Sequence, residues 1–323
     1  MQIGEPHSGP QEGLSTRALN ARQVARDISY ASAAATRTGR VLIRVMENAT
    51  GRLSLMKRAR GYDADVAAGG DFWAVMAARY GLTLEVARGA LDNIPTEGPL
   101  VVVANHPYGI LDGLMLGHIL SLTRGDFRIL AHRVFRRAED LDKVILPISF
   151  DETKEALALN LETRKEALRY LGEGGCIGVF PGGTVSTAAT PLGPPLDPVW
   201  RAFTAKMVAK SGATVVPICF DGANSRLFQL ASHVHATLRM GLLIREFRRS
   251  LGAPVRVAIG DPIGPERLAE FRGDSKKLMD FLRAETYSLS SKPLAQAGLG
   301  FEFEAKHGAR LRTQDRRGLK DRY

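Results

Sequence analysis

Residues 100–104, Leu-Val-Val-Val-Ala between Pro99 and Asn105, form an unbroken apolar run, the pattern of a strand buried on both faces of a parallel sheet. Further apolar runs predict strands at 82–86, 127–131, 144–148, 176–180, 215–220 and 255–259. The stretches at 72–80, 113–122, 154–171, 199–211 and 238–251 read as helices. Strands alternating with helices predict the α/β class: a mostly parallel mixed sheet flanked by helices, preceded by an N-terminal helical segment. Pro217 removes a ladder donor from the 215–220 run, which places it at an edge, a bulge or a strand end.

Ahead of the sheet, residues 1–15 are polar and rich in Gly and Pro, the composition of a tail. Over 19–60 the reading is helical, with Leu42, Val45, Met46, Ala49, Leu53 and Met56 on one face and Gly51 as an interruption. Arg17, Arg22, Arg26, Arg37, Arg40, Arg44, Arg52, Lys57, Arg58 and Arg60 outnumber Asp27 and Glu47 there. That bias suits a helix lying on an anionic leaflet; the alternative is a stripe packed on the main domain with solvated arginines. The expected organisation is a tail and basic membrane-associating helical region at 1–85, a main domain at 86–290 and a basic tail at 291–323.

Composition narrows the class. With 45% hydrophobic and 24% charged residues, the 323-residue chain reads as a globular protein able to build its own core. Lys and Arg total 44 against 34 Asp and Glu, a formal charge of +10 that favours anionic partners. Nucleic acid is not favoured, because the basic residues lack aromatic interleaving or a zinc, RRM or helix-turn-helix pattern. Cys176 and Cys219 sit inside apolar runs and read as buried strand thiols, which fits a reducing, cytoplasmic location. No run reaches the roughly 18 to 20 apolar residues of a membrane span, and the start has no signal-like apolar region, so the expected membrane contact is peripheral.

The candidate chemistry begins in Val-Val-Val-Ala-Asn-His-Pro-Tyr-Gly-Ile-Leu-Asp-Gly-Leu, residues 101–114. Here a buried strand ends and a glycine-containing turn presents His106 at the carboxyl edge of the sheet, where open α/β sheets place ligands. Asp112, at the expected helix N-cap, can fold back and fix the ring's tautomer, leaving the other nitrogen as a base for an attacking alcohol. A structural histidine beside an ordinary helix cap accounts for the same spacing. The second segment, 174–186, runs from an apolar strand into Phe180, Pro181, Gly182, Gly183, Thr184, Val185 and Ser186. Adjacent glycines let backbone N–H groups approach an anion, although Pro-Gly-Gly after a strand is also a common plain turn. Arg128, His132, Arg133 and Arg226 are cationic candidates near the same crevice, with solvated surface as the alternative. His233 and His235 lack further residues at ligand spacing, so no metal site is expected.

In order, Asn-His-Pro-Tyr-Gly-Ile-Leu-Asp-Gly, Phe-Pro-Gly-Gly-Thr-Val-Ser and Val-Val-Pro-Ile-Cys-Phe resemble the catalytic, acceptor and Val-Pro motifs of the 1-acylglycerol-3-phosphate acyltransferases. The likeness to this lysophospholipid acyltransferase superfamily spans about 100–263 and is nearest the bacterial hemolysin-like branch, which includes acyltransferases of ornithine-lipid synthesis. It implies a glycerolipid-acyltransferase-like fold, His106 as general base, Asp112 as its partner, and Phe180 to Ser186 shaping acceptor binding. Asn105, Tyr108 and Gly109, within the same motif, are expected to border the substrate, with Arg133 beside it. The implied co-substrate is acyl-CoA or acyl-ACP, the acceptor a lysolipid hydroxyl, and no bound cofactor or acyl-enzyme is expected. Two departures stand out: five residues separate His106 from Asp112 where the family usually has four, and Gly182 and Val185 replace its Glu and Arg. A lipid-binding protein that keeps the fold without transferring acyl groups is the rival reading; a serine hydrolase lacks its Gly-x-Ser-x-Gly elbow.

Overall fold

The computed structural model describes residues 29–34, 36–132, 139–149, 153–292 and 298–302. The expected tail at 1–15, the arginines at 17, 22 and 26, Arg133, and the basic stretch from Arg310 onward lie outside the described residues. Nine strands are found among the described residues: β1 (Thr83–Arg88), β2 (Leu100–Ala104), β3 (Arg128–His132), β4 (Ile145–Ile148), β5 (Cys176–Val179), the short β6 (Thr187–Ala188) and β7 (Pro195–Leu196), β8 (Thr214–Phe220) and β9 (Pro254–Ile259). Seven of them form one sheet in the order β1-β9-β8-β2-β5-β3-β4, while β6 and β7 pair as a separate hairpin. From β8 to β4 all neighbours are parallel. β9 runs antiparallel to β8, and β1 parallel to β9, so the sheet is mixed.

Burial explains the apolar run in β2, whose five residues are all inaccessible. Leu100, Val102 and Ala104 face a core shared with helices Arg52–Ala59, Phe72–Tyr80 and Ile110–Arg124. Val101 and Val103 face the other layer, built with Lys154–Gly172, Ala202–Ser211 and Ser275–Ser288. Each such side chain contributes about 1.5–3 kcal/mol when fully removed from water. Both cysteines are buried, and burial pushes the Cys176 thiol up to about 12.

All seven expected sheet strands are present, as are the five expected helices, the last as Ala236–Arg249. The hairpin and helices Arg226–Val234 and Ser275–Ser288 were not anticipated, and their residues say why. Arg226–Val234 buries Phe228, Gln229, Ala231 and Ser232 while exposing Leu227, Leu230 and Val234, so polarity and burial are partly inverted. Ser275–Ser288 buries Arg283 and Thr286 among its apolar residues. β8 is no edge strand, since it lies between β9 and β2. Its pairing with β9 covers Ile218 to Phe220 and resumes only as a bridge from Val215 to Ile263, so Pro217 sits where that ladder is irregular.

The N-terminal helix Arg37–Thr50 departs in its orientation from the alternative of a stripe packed on the main domain. It packs on Ala236–Arg249 through Ile43 and Glu47, with Met46 against Gly241. Leu42 (45% exposed), Val45 (58%) and, in the following helix, Leu53 (59%) face outward instead. Glu47 accounts for the rotation: fully buried, it accepts the Ser29 hydroxyl at 2.5 Å and the Tyr30 backbone N–H at 2.7 Å. Hydrophobic spacing cannot anticipate a buried carboxylate used as an anchor.

Burial raises the Glu47 carboxyl above its ordinary value, although Ser29, Tyr30, Arg44 and Arg52 act against the shift. Below about pH 4, near the unfolded-state value, both folded and unfolded chains carry it neutral and its charge adds no penalty. Above its raised folded-state value the folded chain bears the full cost. The melting temperature of Glu47→Gln relative to wild type is therefore expected to shift in the variant's favour between about pH 4 and pH 8. Thermal unfolding across that range checks it, and a gap moving the other way refutes it.

Candidate active site

Because β8, β2 and β5 are adjacent and parallel, their carboxyl ends bring three loops together: 105–109 after β2, 180–186 after β5 and 221–225 after β8. Asn105 joins the first to the third. Its Oδ1 accepts the Phe220 N–H at 2.7 Å and its Nδ2 donates to the Phe220 carbonyl at 3.0 Å, extending the ladder by one side chain. Tyr108 makes a second tie, its hydroxyl donating to the Asp221 carbonyl at 2.8 Å. Burial, with Asp112 and Asp221 nearby, pushes that phenol up to about 12, so it remains a donor.

His106 and Asp112 meet in this frame. Nδ1 of His106 lies 3.0 Å from Asp112 Oδ2, with the imidazole 18% exposed and the carboxylate fully buried. The contact does not meet the geometry of a full hydrogen bond, and Asp112 Oδ1 has no partner among the described residues. Asp112 is not the helix N-cap. The helix starts at Ile110 with Gly109 as cap, and Asp112, in the first turn, reaches back to accept the N–H groups of Tyr108 (2.8 Å) and Gly109 (2.9 Å). The extra residue between His106 and Asp112 is absorbed in a turn where Gly109 adopts φ +92°. Burial pushes the Asp112 carboxyl above the ordinary carboxylate range, while His106 and the two backbone N–H groups oppose that rise. An imidazolium forming beside this carboxylate therefore gains a buried counter-charge. With Nδ1 turned inward, Nε2 is the ring nitrogen left for a proton acceptor's role.

The turn after β5 forms the facing wall. Phe180 stacks on the imidazole at 4.3 Å between centroids, and Gly183 takes φ +70°. Pro181 and Gly182 are buried, and Gly183 and Thr184 are half-buried. Ser186 lies on the inner side of the turn: it is 1% exposed, its backbone N–H donates to the His106 carbonyl at 2.7 Å, and its hydroxyl bonds Asp197. Asn105 is likewise buried, 4% exposed, with its amide engaged by Phe220. Arg128 pairs with Asp126 and Arg226 donates to the carbonyls of Leu192 and Gly193, so neither points a free cation at the histidine.

Three participants were not foreseen. Arg239, 3% exposed, supports the turn from behind, donating to Thr184 Oγ1 (3.2 Å), the Val185 carbonyl (2.7 Å), Thr187 Oγ1 (2.5 Å) and Ser232 Oγ (2.8 Å). A guanidinium thus does reach the turn, from another helix and fully engaged. Tyr30 comes from the N-terminal segment, where its hydroxyl lies near the Cβ position of Gly109. Asp197 is fully buried beside the His106 backbone. Its only signal in the sequence is an acidic residue set among Leu196, Pro198, Val199 and Trp200.

A cavity of about 230 Å³ opens beside Phe180, lined by Leu130, Ile148, Val179 and Phe203 with Ser149 and Arg201 at its polar side. A larger depression of about 400 Å³ lies near Trp200 and Lys276; His106 lines neither space, and only the smaller one reaches the turn after β5, through Phe180, Pro181 and Gly183. No helix among the described residues is long and apolar enough to cross a membrane.

Comparison with known proteins adds the family context. A family model described as "Acyltransferase" matches residues 70–296. The lyso-glycine lipid O-acyltransferase of Phocaeicola vulgatus is 26% identical over 180 residues, covering 54% of this chain and 62% of that protein, so the chain spans less than two thirds of its length. The crystal structure of the 1-acyl-sn-glycerophosphate (LPA) acyltransferase PlsC from Thermotoga maritima overlays with a TM-score of 0.42 at 18% identity, over 72% of this chain and 80% of that one.

At Gly109 a Cβ would sit 3.2 Å from Val185 and 3.4 Å from Leu243 in a backbone conformation disfavoured for other residues. Gly109→Ala is expected to lower stability by about 1–3 kcal/mol. Denaturant unfolding measures this, and an unchanged midpoint would show that the turn does not require that conformation.

Proposed function

The chain belongs to the acyltransferase family, and on that premise we propose that it moves a fatty acyl group from an acyl-CoA or acyl-carrier-protein thioester to a lysolipid hydroxyl. The observation that carries this reading is the 3.0 Å contact between a partly exposed imidazole and a buried carboxylate at the sheet edge. In the proposed reaction His106 Nε2 takes the acceptor's O–H proton as the oxygen attacks the thioester carbonyl. The tetrahedral intermediate collapses, expelling a thiolate that recovers the proton from the imidazolium. No acyl-enzyme forms, and Asp112 stabilises the transient positive ring.

The developing oxyanion is assigned to backbone N–H groups of the Phe180 to Ser186 turn other than those of Gly183 and Ser186, which donate to the Phe180 and His106 carbonyls. Tyr108 and Gly109 border the acceptor on the facing loop, and Arg133 is retained as a candidate contact from the sequence. The apolar cavity beside Phe180 suits an alkyl chain. Val185 stands where a phosphate-gripping arginine is expected, and Arg239 is spent on the turn itself, which favours a lysolipid acceptor other than a phosphomonoester.

Membrane recruitment is assigned to the outer face of the N-terminal helices. Val41, Leu42, Val45 and Leu53 are exposed there, and Arg37, Arg40, Lys57 and Arg58 are also exposed on these two helices. Apolar side chains flanked by cations suit the interface of an anionic leaflet. The proposed organisation is an N-terminal region at 1–85 assigned to recruitment, an acyltransferase domain at 86–290 and a basic C-terminal stretch at 291–323.

Transfer from acyl-CoA or acyl-ACP to lysolipids, followed by mass spectrometry, tests the reaction. His106→Ala is expected to lower kcat by about 10² to 10⁴-fold. Asp112→Asn should lower it comparably, because an amide can select the wrong ring tautomer. Wild-type protein that binds lipid but turns over no faster than His106→Ala would instead support a non-catalytic lipid-binding role. For recruitment, replacing Val41, Leu42 and Val45 together by Asp is expected to abolish flotation with vesicles containing anionic lipid; unchanged flotation removes that assignment.

A further inference from the structure

We propose that Asp197 is a positioning residue that fixes the distance between His106 and the turn following β5, an inference that rests on the acyl-transfer reading. Its carboxylate is fully buried and collects donors from both walls of the site. Oδ1 accepts the His106 backbone N–H at 3.2 Å and the Ser186 hydroxyl in a short hydrogen bond, while Oδ2 accepts the Trp200 indole N–H at 2.9 Å. A Cβ placed on Gly182 would lie 3.3 Å from Asp197 Cβ and Cγ, so the turn's backbone rests directly on this side chain.

The post is held from outside the site. The Asp197 backbone N–H donates to the Tyr287 hydroxyl at 2.8 Å, and its carbonyl accepts Arg283 Nη2 at 3.0 Å and the Gly300 N–H at 2.9 Å. Helix Ser275–Ser288, which packs in the layer beneath the sheet, therefore fixes Asp197 independently of the two loops it joins. Because general-base catalysis depends steeply on placement, with about 1 Å of error able to cost about 100-fold, a shared post governs the reaction without touching substrate.

The hydrogen-bond chemistry supplies a test that general destabilisation does not mimic. Asn has the same shape but offers one acceptor oxygen and one NH₂, which must face either the Trp200 N–H or the His106 N–H, donor against donor. Asp197→Asn is expected to lower kcat about 10- to 100-fold while leaving the KM for the acyl donor within about two-fold. Adding Trp200→Phe removes the donor on the Oδ2 side, so the amide can turn its NH₂ there and keep oxygen on His106 and Ser186. The Asp197→Asn/Trp200→Phe double variant should recover much of the lost kcat relative to the single variant. A folded Asp197→Asn with wild-type kcat, or a double variant no faster than Asp197→Asn, overturns the proposal. Should Asp197→Asn fail to fold, amide hydrogen exchange on the wild-type protein decides: slow exchange of the His106 N–H is expected, and exchange at the rate of an exposed amide overturns it. Absence of acyl transfer by the wild type with every thioester and lysolipid tried would defeat the functional reading alone, since the exchange measurement judges the clamp separately.

Discussion

A carboxylate sealed in a protein interior must be compensated, and the local architecture of this site follows from how Asp112 meets that demand. Water cannot reach it, so its charge is balanced by the His106 ring and by the N–H groups of Tyr108 and Gly109. These groups come from residues just upstream, so the chain between His106 and Asp112 must curl tightly enough to bring two N–H donors and the ring to one oxygen. Gly109, at φ +92°, makes the curl possible and also starts the helix that carries Asp112. The five-residue spacing is thereby accommodated: the loop is longer, but both ends are fixed by the same carboxylate.

That loop would still drift without external reference points. Asn105 ties it to β8, Tyr108 to the loop after β8, and the Ser186 N–H to the turn after β5. Each tie crosses between neighbouring strands of the sheet, so the geometry depends on strand order and not on any single segment. Pro217 is tolerated in the interior strand β8 because the irregular ladder with β9 falls beside it, while the parallel register with β2, which aligns the loops, runs through to Ala104 and Ile218.

The strands of the sheet were legible because burial on two faces demands apolar residues at successive positions, a signal carried entirely by local sequence. The pairing of His106 with Asp112 was legible for a similar reason, being separated by a single turn. What escaped was carried by polar residues in buried places. Asp197 lies 91 residues from His106 and joins the site only after the sheet has formed. Helix Arg226–Val234 hides Gln229 and Ser232 and shows Leu227 and Leu230, so periodicity points its apolar face the wrong way. The inner face of the N-terminal helix escaped for the same reason, because a carboxylate, Glu47, is buried there beside Ile43. The inward placement of the serine of the acceptor-like turn was not legible, because its partner Asp197 lies outside the motif.

Glu47 also connects two parts that the sequence left separate. By holding Ser29 and the Tyr30 backbone, it brings the Tyr30 ring into the apolar cluster formed by Val185, Phe228 and Leu243, with its hydroxyl close to Gly109. Asp112 and Arg239 are both near enough to act electrostatically on that phenol, which burial pushes far up and keeps neutral. The inner face of the N-terminal helix is therefore continuous with the packing around the His106 loop, while its outer face presents Val41, Leu42 and Val45 to solvent. Glu47 holds Tyr30, and the Tyr30 hydroxyl approaches Gly109, so this helix is linked by contact to the turn that aims the imidazole. The turn that precedes the helix, held by Glu47, thus supplies through Tyr30 part of the packing around the loop that carries the base.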